Sequence, residues 1–287
     1  MTKSSHFLFL VLAIAALLGL QRCTKETASF TPIPVADYFP LEIGRYITYY
    51  LDSTVFLNYG SIKEVHSYQV KDIVDAEITD NLGRRSYRIR RMIRDKEGLS
   101  PWEDNAVFMV TPLQNSIEVV ENNLRYIKLV NPVKEWYTWK GNAYIQTTDE
   151  LNYLAYWDYT YADVEQPFTT DGLEVANSIT VNQEDYSTGD PEAFPNNIAA
   201  KIFSQEVYGK DIGLIYKDLI YWQYERTHFQ ENCRVIVPGQ TGSTPCPYDI
   251  DCDSLANTMG GYMTCDTTYG NFSYDGYGIR LKMIEHN

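Results

Sequence analysis

Apolar and polar positions alternate with a period of two through much of this 287-residue chain. The C-terminal stretch shows it best: Tyr277, Ile279, Leu281 and Met283 fall on one face, Arg280, Lys282 and His286 on the other. Period two marks a strand, because successive side chains leave opposite faces of the pleat. No stretch of a dozen residues keeps an i, i+3, i+4, i+7 apolar rhythm, so long amphipathic helices are not expected.

The rest reads as strand, turn, strand. A turn at Gly44 leads into the β-branched and aromatic run from Tyr46 to Tyr50. Residues 66–78 and 84–94 flank Asn81-Leu82-Gly83, a hairpin turn. Strands follow over 106–110, 116–120 and 125–130, the last two flanking Asn122-Asn123. Beyond Gly141-Asn142 come 153–163, 173–181, 198–208 and 212–226, the last pair around Gly209-Lys210-Asp211. Residues 272–285 close the chain. About ten to twelve such strands with short turns predict an all-β, antiparallel meander forming a barrel or strongly curved sheet. A β-sandwich is the alternative.

The N-terminus breaks the pattern. Phe7 to Leu20 is unbroken apolar sequence behind Lys3. That run is too short for a membrane span, which needs about 20 residues, and suits a signal-peptide h-region. Leu20-Gln21-Arg22-Cys23 resembles a bacterial lipobox, with Cys23 as the lipidated residue; Arg22 stands where a small residue is usual. The alternative is an ordinary secretory signal cut near Ala13-Ile14-Ala15. The reading is therefore a signal peptide over 1–22, a tether over 23–37 and one β domain over 38–287. Two or three acyl chains would hold that domain to the outer membrane, facing the periplasm or the surface.

Charge narrows the partners. Formal net charge is −14; without Lys3 and Arg22, 22 basic residues face 38 acidic ones. Such a surface repels phosphate backbones and argues against nucleic acid. The partners implied are a membrane, through the lipid, and a glycan or an envelope protein. Past Cys23, cysteine appears only at Cys233, Cys246, Cys252 and Cys265. Their even number in an exported chain reads as two disulfides, with three pairings open, in a loop insertion over 231–268. A zinc site would need closer cysteine pairs than Cys246 and Cys252.

Three segments carry a resemblance: Tyr38-Phe39-Pro40-Leu41 with Gly44-Arg45-Tyr46, Trp139-Lys140-Gly141-Asn142-Ala143-Tyr144, and Glu206-Val207-Tyr208-Gly209-Lys210-Asp211-Ile212-Gly213-Leu214-Ile215-Tyr216-Lys217. In this order they resemble a family of uncharacterised lipoproteins of Bacteroidota-type bacteria. The likeness spans most of 38–226 and the final strand. Its motifs are turn glycines and strand aromatics, so it implies no catalytic residue.

Candidate chemistry is sparse. Outside the signal only His66, His228 and His286 occur, with no H-E-x-x-H, G-x-S-x-G or phosphate loop. Nothing implies a cofactor. On a strand, Arg84, Arg88, Arg90 and Arg94 share one face and Tyr87, Ile89 and Ile93 the other. That stripe reads either as an anion site centred on Arg88 and Arg90 or as a solvated face paired to acids such as Asp72. Trp139, Trp157, Tyr159 and Tyr161 read either as sugar-stacking platforms or as core. Asp249, Asp251 and Asp253 alternate, but the spacing lacks the glycine and glutamate of a calcium loop. The expectation is a non-enzymatic binding or envelope-structural lipoprotein. Carbohydrate binding by exposed aromatics, a hydrophobic-ligand carrier and a glycan-cleaving enzyme are its alternatives.

Overall fold

A computed structural model describes residues 33–146, 152–246 and 251–287, without the side chains of 227–232 and 266–269. Cys23, the signal and most of the tether lie outside the described residues. Ile33–Asn287 forms one compact unit that holds both hydrophobic cores and every strand pair.

The chain opens with a 3-10 turn, Val35–Tyr38, and then lays down a meander. Its strands are β1 (Tyr46–Leu57), β2 (Ile62–Thr79), β3 (Arg85–Asp95), β4 (Glu103–Pro112), β5 (Ser116–Glu121) and β6 (Leu124–Val130). A second meander follows: β7 (Thr138–Trp139), β8 (Tyr159–Thr170), β9 (Leu173–Thr188), β10 (Ala199–Gly209) and β11 (Gly213–Ile236). After β12 (Thr244–Pro245) and the helix α1 (Cys252–Met259), β13 (Tyr262–His286) inserts antiparallel between β1 and β11 and joins the two meanders. The order is β6-β5-β4-β3-β2-β1-β13-β11-β10-β9-β8-β7.

This twelve-strand sheet curls until its two edges almost meet. Ile127 N–H donates to Gly141 O at 2.8 Å, and the Trp139 indole donates to Ile127 O at 2.8 Å. Tyr161 hydroxyl reaches Val130 O and receives Val130 N–H, both at 2.8 Å. The barrel is thus closed across the seam by single bonds where a ladder is missing. Leaving those edge groups bare would cost about 1–3 kcal/mol each.

Local sequence explains the turns. Asn122 and Asn123 take φ 51° and 62°, the pair of left-handed residues that a two-residue hairpin requires. Asp80 accepts Leu82 N–H and Arg84 N–H, both at 2.9 Å, and so shapes the β2–β3 turn.

Four boundaries differ from the sequence reading. Residues 33–37, expected in the tether, belong to the domain, with Val35 buried. The segment 153–163 is not one strand: it begins with a 3-10 turn, Asn152–Leu154, and pairing starts at Tyr159. β8 then runs to Thr170 through left-handed Asp163 and Glu165. The hairpin tip so bent lies over the outer face of β10, β11 and β13: Phe168 meets Tyr216, ring centroids 5.4 Å apart, and Lys282 Nζ donates to Asp171 at 2.7 Å. Finally, the insertion is largely the hairpin itself prolonged. β11 and β13 stay paired out to Ile236 and Tyr262, and α1 sits in the connection.

Both disulfides form there. Cys233–Cys265 joins register partners on β11 and β13, and Cys246–Cys252 links the loop to the start of α1. Asp251 caps that helix, accepting Asp253 N–H at 3.1 Å and Ser254 Oγ–H at 2.7 Å. Asp249 lies outside the described residues.

Candidate functional site

Inward positions of a barrel should be apolar, and most are. Six are charged: Asp72 (β2), Arg91 (β3), Glu121 (β5), Lys128 (β6), Glu206 (β10) and Lys217 (β11) all line one cavity of about 110 Å³. Three acids thus face three bases on the strands; Arg45, before β1, also lines the cavity and spends its guanidinium on Asp211 O.

Glu206 is the best satisfied. Lys128 Nζ donates to its Oε1 at 2.6 Å, Tyr208 hydroxyl and Gln183 Nε2 to its Oε2 at 2.7 and 2.9 Å. Ser204 hydroxyl holds Gln183 in turn. Arg91 grips Asp72 through Nε and Nη2 at 2.7 and 2.6 Å, its guanidinium 4.6 Å from the Phe108 ring centroid. Lys217 is looser. Its ammonium stands 3.6 Å from Glu206 and 3.7 Å from Glu121, too far for a good hydrogen bond to either.

Burial works against all these charges, and their partners overcome it. Glu121 would be raised by desolvation, yet Lys217, Lys128 and Arg91 bring it down to about 2. Glu206 is likewise held below the usual carboxylate range, by Lys128 and Lys217 against burial. Burial lowers Lys217, but Glu121 and Glu206 carry it above the ordinary lysine value.

Between these charges the cavity wall is apolar, with Val74, Ile89, Phe108, Val110, Val119 and Leu281. Toward one end of the barrel the Tyr153 ring stacks 4.2 Å from Tyr221, and its hydroxyl lies 2.9 Å from that of Tyr277. Phe39, Leu41, Ile47, Ile212 and Gly213 surround the other end. The segment after Ile33 crosses there. Tyr38, fully buried, donates to Asn177 Oδ1 at 2.9 Å, and Asp211 N–H donates to Asp37 O at 2.6 Å. Arg45 ties the two lips together by donating to Asp211 O.

The residues singled out in the sequence lie elsewhere. Trp157, Tyr159 and Tyr161 are buried, and Trp139 is half-buried with its indole N–H spent on the seam. They pack the core; none forms an exposed sugar platform. Arg88 is chelated by Asp75 at 2.9 and 2.8 Å, and Arg90 stands 3.6 Å from Asp104, so the stripe is a paired outer face. Asp72, offered as a partner for the stripe, belongs to Arg91 inside. Arg91 went unnoticed, although its parity with Tyr87 and Ile89 places it inward. A charge at a core-parity position was the available signal.

No family model, curated protein or solved structure matches the chain. Among the described residues no helix is long and apolar enough to cross a membrane, and no cluster of His, Cys, Asp or Glu could hold a metal ion.

Proposed function

We propose that this chain is an exported, lipid-anchored, non-enzymatic binding protein whose barrel takes up a small, uncharged, mainly apolar molecule. The observation that carries this reading is the cavity: mainly apolar walls, with Leu41, Ile47 and Gly213 among its lining, and strand-borne charges matched three against three. Its volume is comparable to engineered apolar cavities of about 150 Å³ that bind benzene. A charged ligand would add an uncompensated ion to a balanced site, which is costly. A hydroxyl group instead bridges the gap beside Lys217, donating to Glu121 and accepting from the ammonium. The two disulfides agree with an oxidising compartment.

A glycan-cleaving reading is weaker on chemical grounds. Such enzymes keep one carboxylic acid protonated to donate to the leaving group. Glu121 and Glu206 are both held ionised by their cations.

Thermal unfolding of the chain beginning at Thr24, with hexanol, hexanoate or hexylammonium added, tests the proposal. Hexanol should raise the midpoint and the two ions should not; Val119→Phe, which fills the space, should erase the hexanol effect. Equal shifts with all three, or none with hexanol, would refute it.

A further inference from the structure

A second site lies on the outer face, built by register. β9, β10, β11 and β13 place Ser187, Lys201, Trp222 and Gly276 in one row, each opposite the next. Gly276 has φ 149°, and a Cβ there would lie 2.1 Å from Tyr221 O and 2.6 Å from Trp222 Cα, so the β11 backbone closes over this position and only glycine fits. No β13 side chain therefore stands opposite Trp222 in the row. Tyr274, two residues earlier, stands beside Trp222, its ring 5.4 Å away at 82°. It is braced by Phe56, stacked at 5.0 Å, and by Tyr224 at 4.6 Å.

Polar groups complete the rim. Residues 189–192, following β9, border the same groove, of about 260 Å³, with Asp190 and Glu192. Asp190 Oδ1 fixes the loop by accepting Glu192 N–H at 3.0 Å and Ala193 N–H at 3.2 Å. Lys63 and Lys201 line the groove too. Among the described residues neither lysine has a hydrogen-bond or ion-pair partner. The Trp222 indole N–H has none either, whereas Trp139 and Trp157 donate to Ile127 O and Tyr153 O.

We infer that the groove between Trp222, Tyr274 and the 189–192 loop binds one neutral hexopyranose unit of a glycan. The Trp222 ring, with Tyr274 set at a right angle beside it, offers stacking to the C–H face of the sugar ring. Two carboxylates accept from ring hydroxyls, and two ammonium groups and the indole N–H donate to them. The charges balance, so a neutral sugar leaves no ion uncompensated. The groove sits just under the roughly 300 Å³ at which small-molecule sites begin, room for one ring and not a chain. It is distinct from the barrel cavity and does not depend on that reading.

The test is an array of neutral and acidic glycans probed with the chain from Thr24, followed by titration calorimetry on any glycan retained. A neutral glycan should bind, at least tenfold more weakly to Trp222→Ala and severalfold more weakly to a Lys201→Ala, Glu192→Ala double variant. Those rim changes keep the test valid should Trp222→Ala fail to fold. Saturating hexanol should leave glycan affinity unchanged. Retention of acidic glycans alone, no retention at all, or undiminished binding by the folded variants would overturn the inference.

Discussion

Lys128 and Glu206 are 78 residues apart in the chain and 2.6 Å apart across the barrel. One comes from β6 at the sheet's edge, the other from β10 in the opposite meander, so the pair spans the interior. Replacing one partner leaves the other as a buried ion, at a cost of about 3–5 kcal/mol. Lys128→Met is therefore expected to lower the unfolding free energy by about that much. Replacing both, as Lys128→Met with Glu206→Met, should recover most of it. Urea denaturation of the three proteins checks this, and equal losses in single and double variants would contradict it.

The same interior sets the response to acid. Glu121 has its folded pKa depressed to about 2. Its contribution is fully present above the unfolded value, about 4.3, and is lost as pH falls through 2. Lys217 is shifted the other way. Its contribution is complete below about 10.4 and fades as pH rises through the higher folded value. Urea midpoints measured across pH should thus form a plateau with falling limbs. Glu121→Gln should lower the plateau and flatten the acid limb.

Gly60 admits no side chain. It has φ 78°, and a Cβ would stand 1.9 Å from Tyr274 O, the residue whose own N–H donates to Gly60 O. Gly60→Ala combines a left-handed strain of about 1–2 kcal/mol with a backbone clash. Calorimetry should show a lowered midpoint, and hydrogen exchange a faster Tyr274 amide.

Cys233 and Cys265 join β11 and β13 in the prolonged hairpin, beyond the last rungs that pair with β10 and β1. A Cys233→Ala, Cys265→Ala variant should quicken amide exchange in the outer hairpin while leaving that of Val70 and Ile179 in the barrel unchanged. Quickening in the barrel as well would show that the two parts unfold together.

Lipidation is checked directly. Cells fed labelled palmitate should incorporate it into this chain, and Cys23→Ala should abolish incorporation and leave the signal uncut. An unlabelled, soluble wild-type protein would remove the anchor from the proposal.

Much of the fold was legible. The hairpin turns at Asn81-Leu82-Gly83 and Asn122-Asn123 sit where residue type placed them, because left-handed backbone and side-chain-capped turns are local demands. The segment 153–163 misled, since aromatic residues serve strand and loop equally. There Leu154 and Trp157 are buried by the barrel end they help to close. The aromatics singled out for sugar contact became core, and the half-buried Trp222 and Tyr274 were missed because what lies beside a ring is decided by neighbouring strands. Their signal was Gly276, a strand glycine that pairs with Trp222.

By itself the sequence determined what depends on nearest neighbours: strand periodicity, turn chemistry, the charge balance, and the even group of cysteines. Tertiary structure decided which faces turned inward and which distant residues met. Arg91 and Asp72, Lys128 and Glu206, and Trp222 and Tyr274 are joined by register between strands far apart in the chain. Register follows from how the whole sheet curls and closes, and no local stretch encodes that.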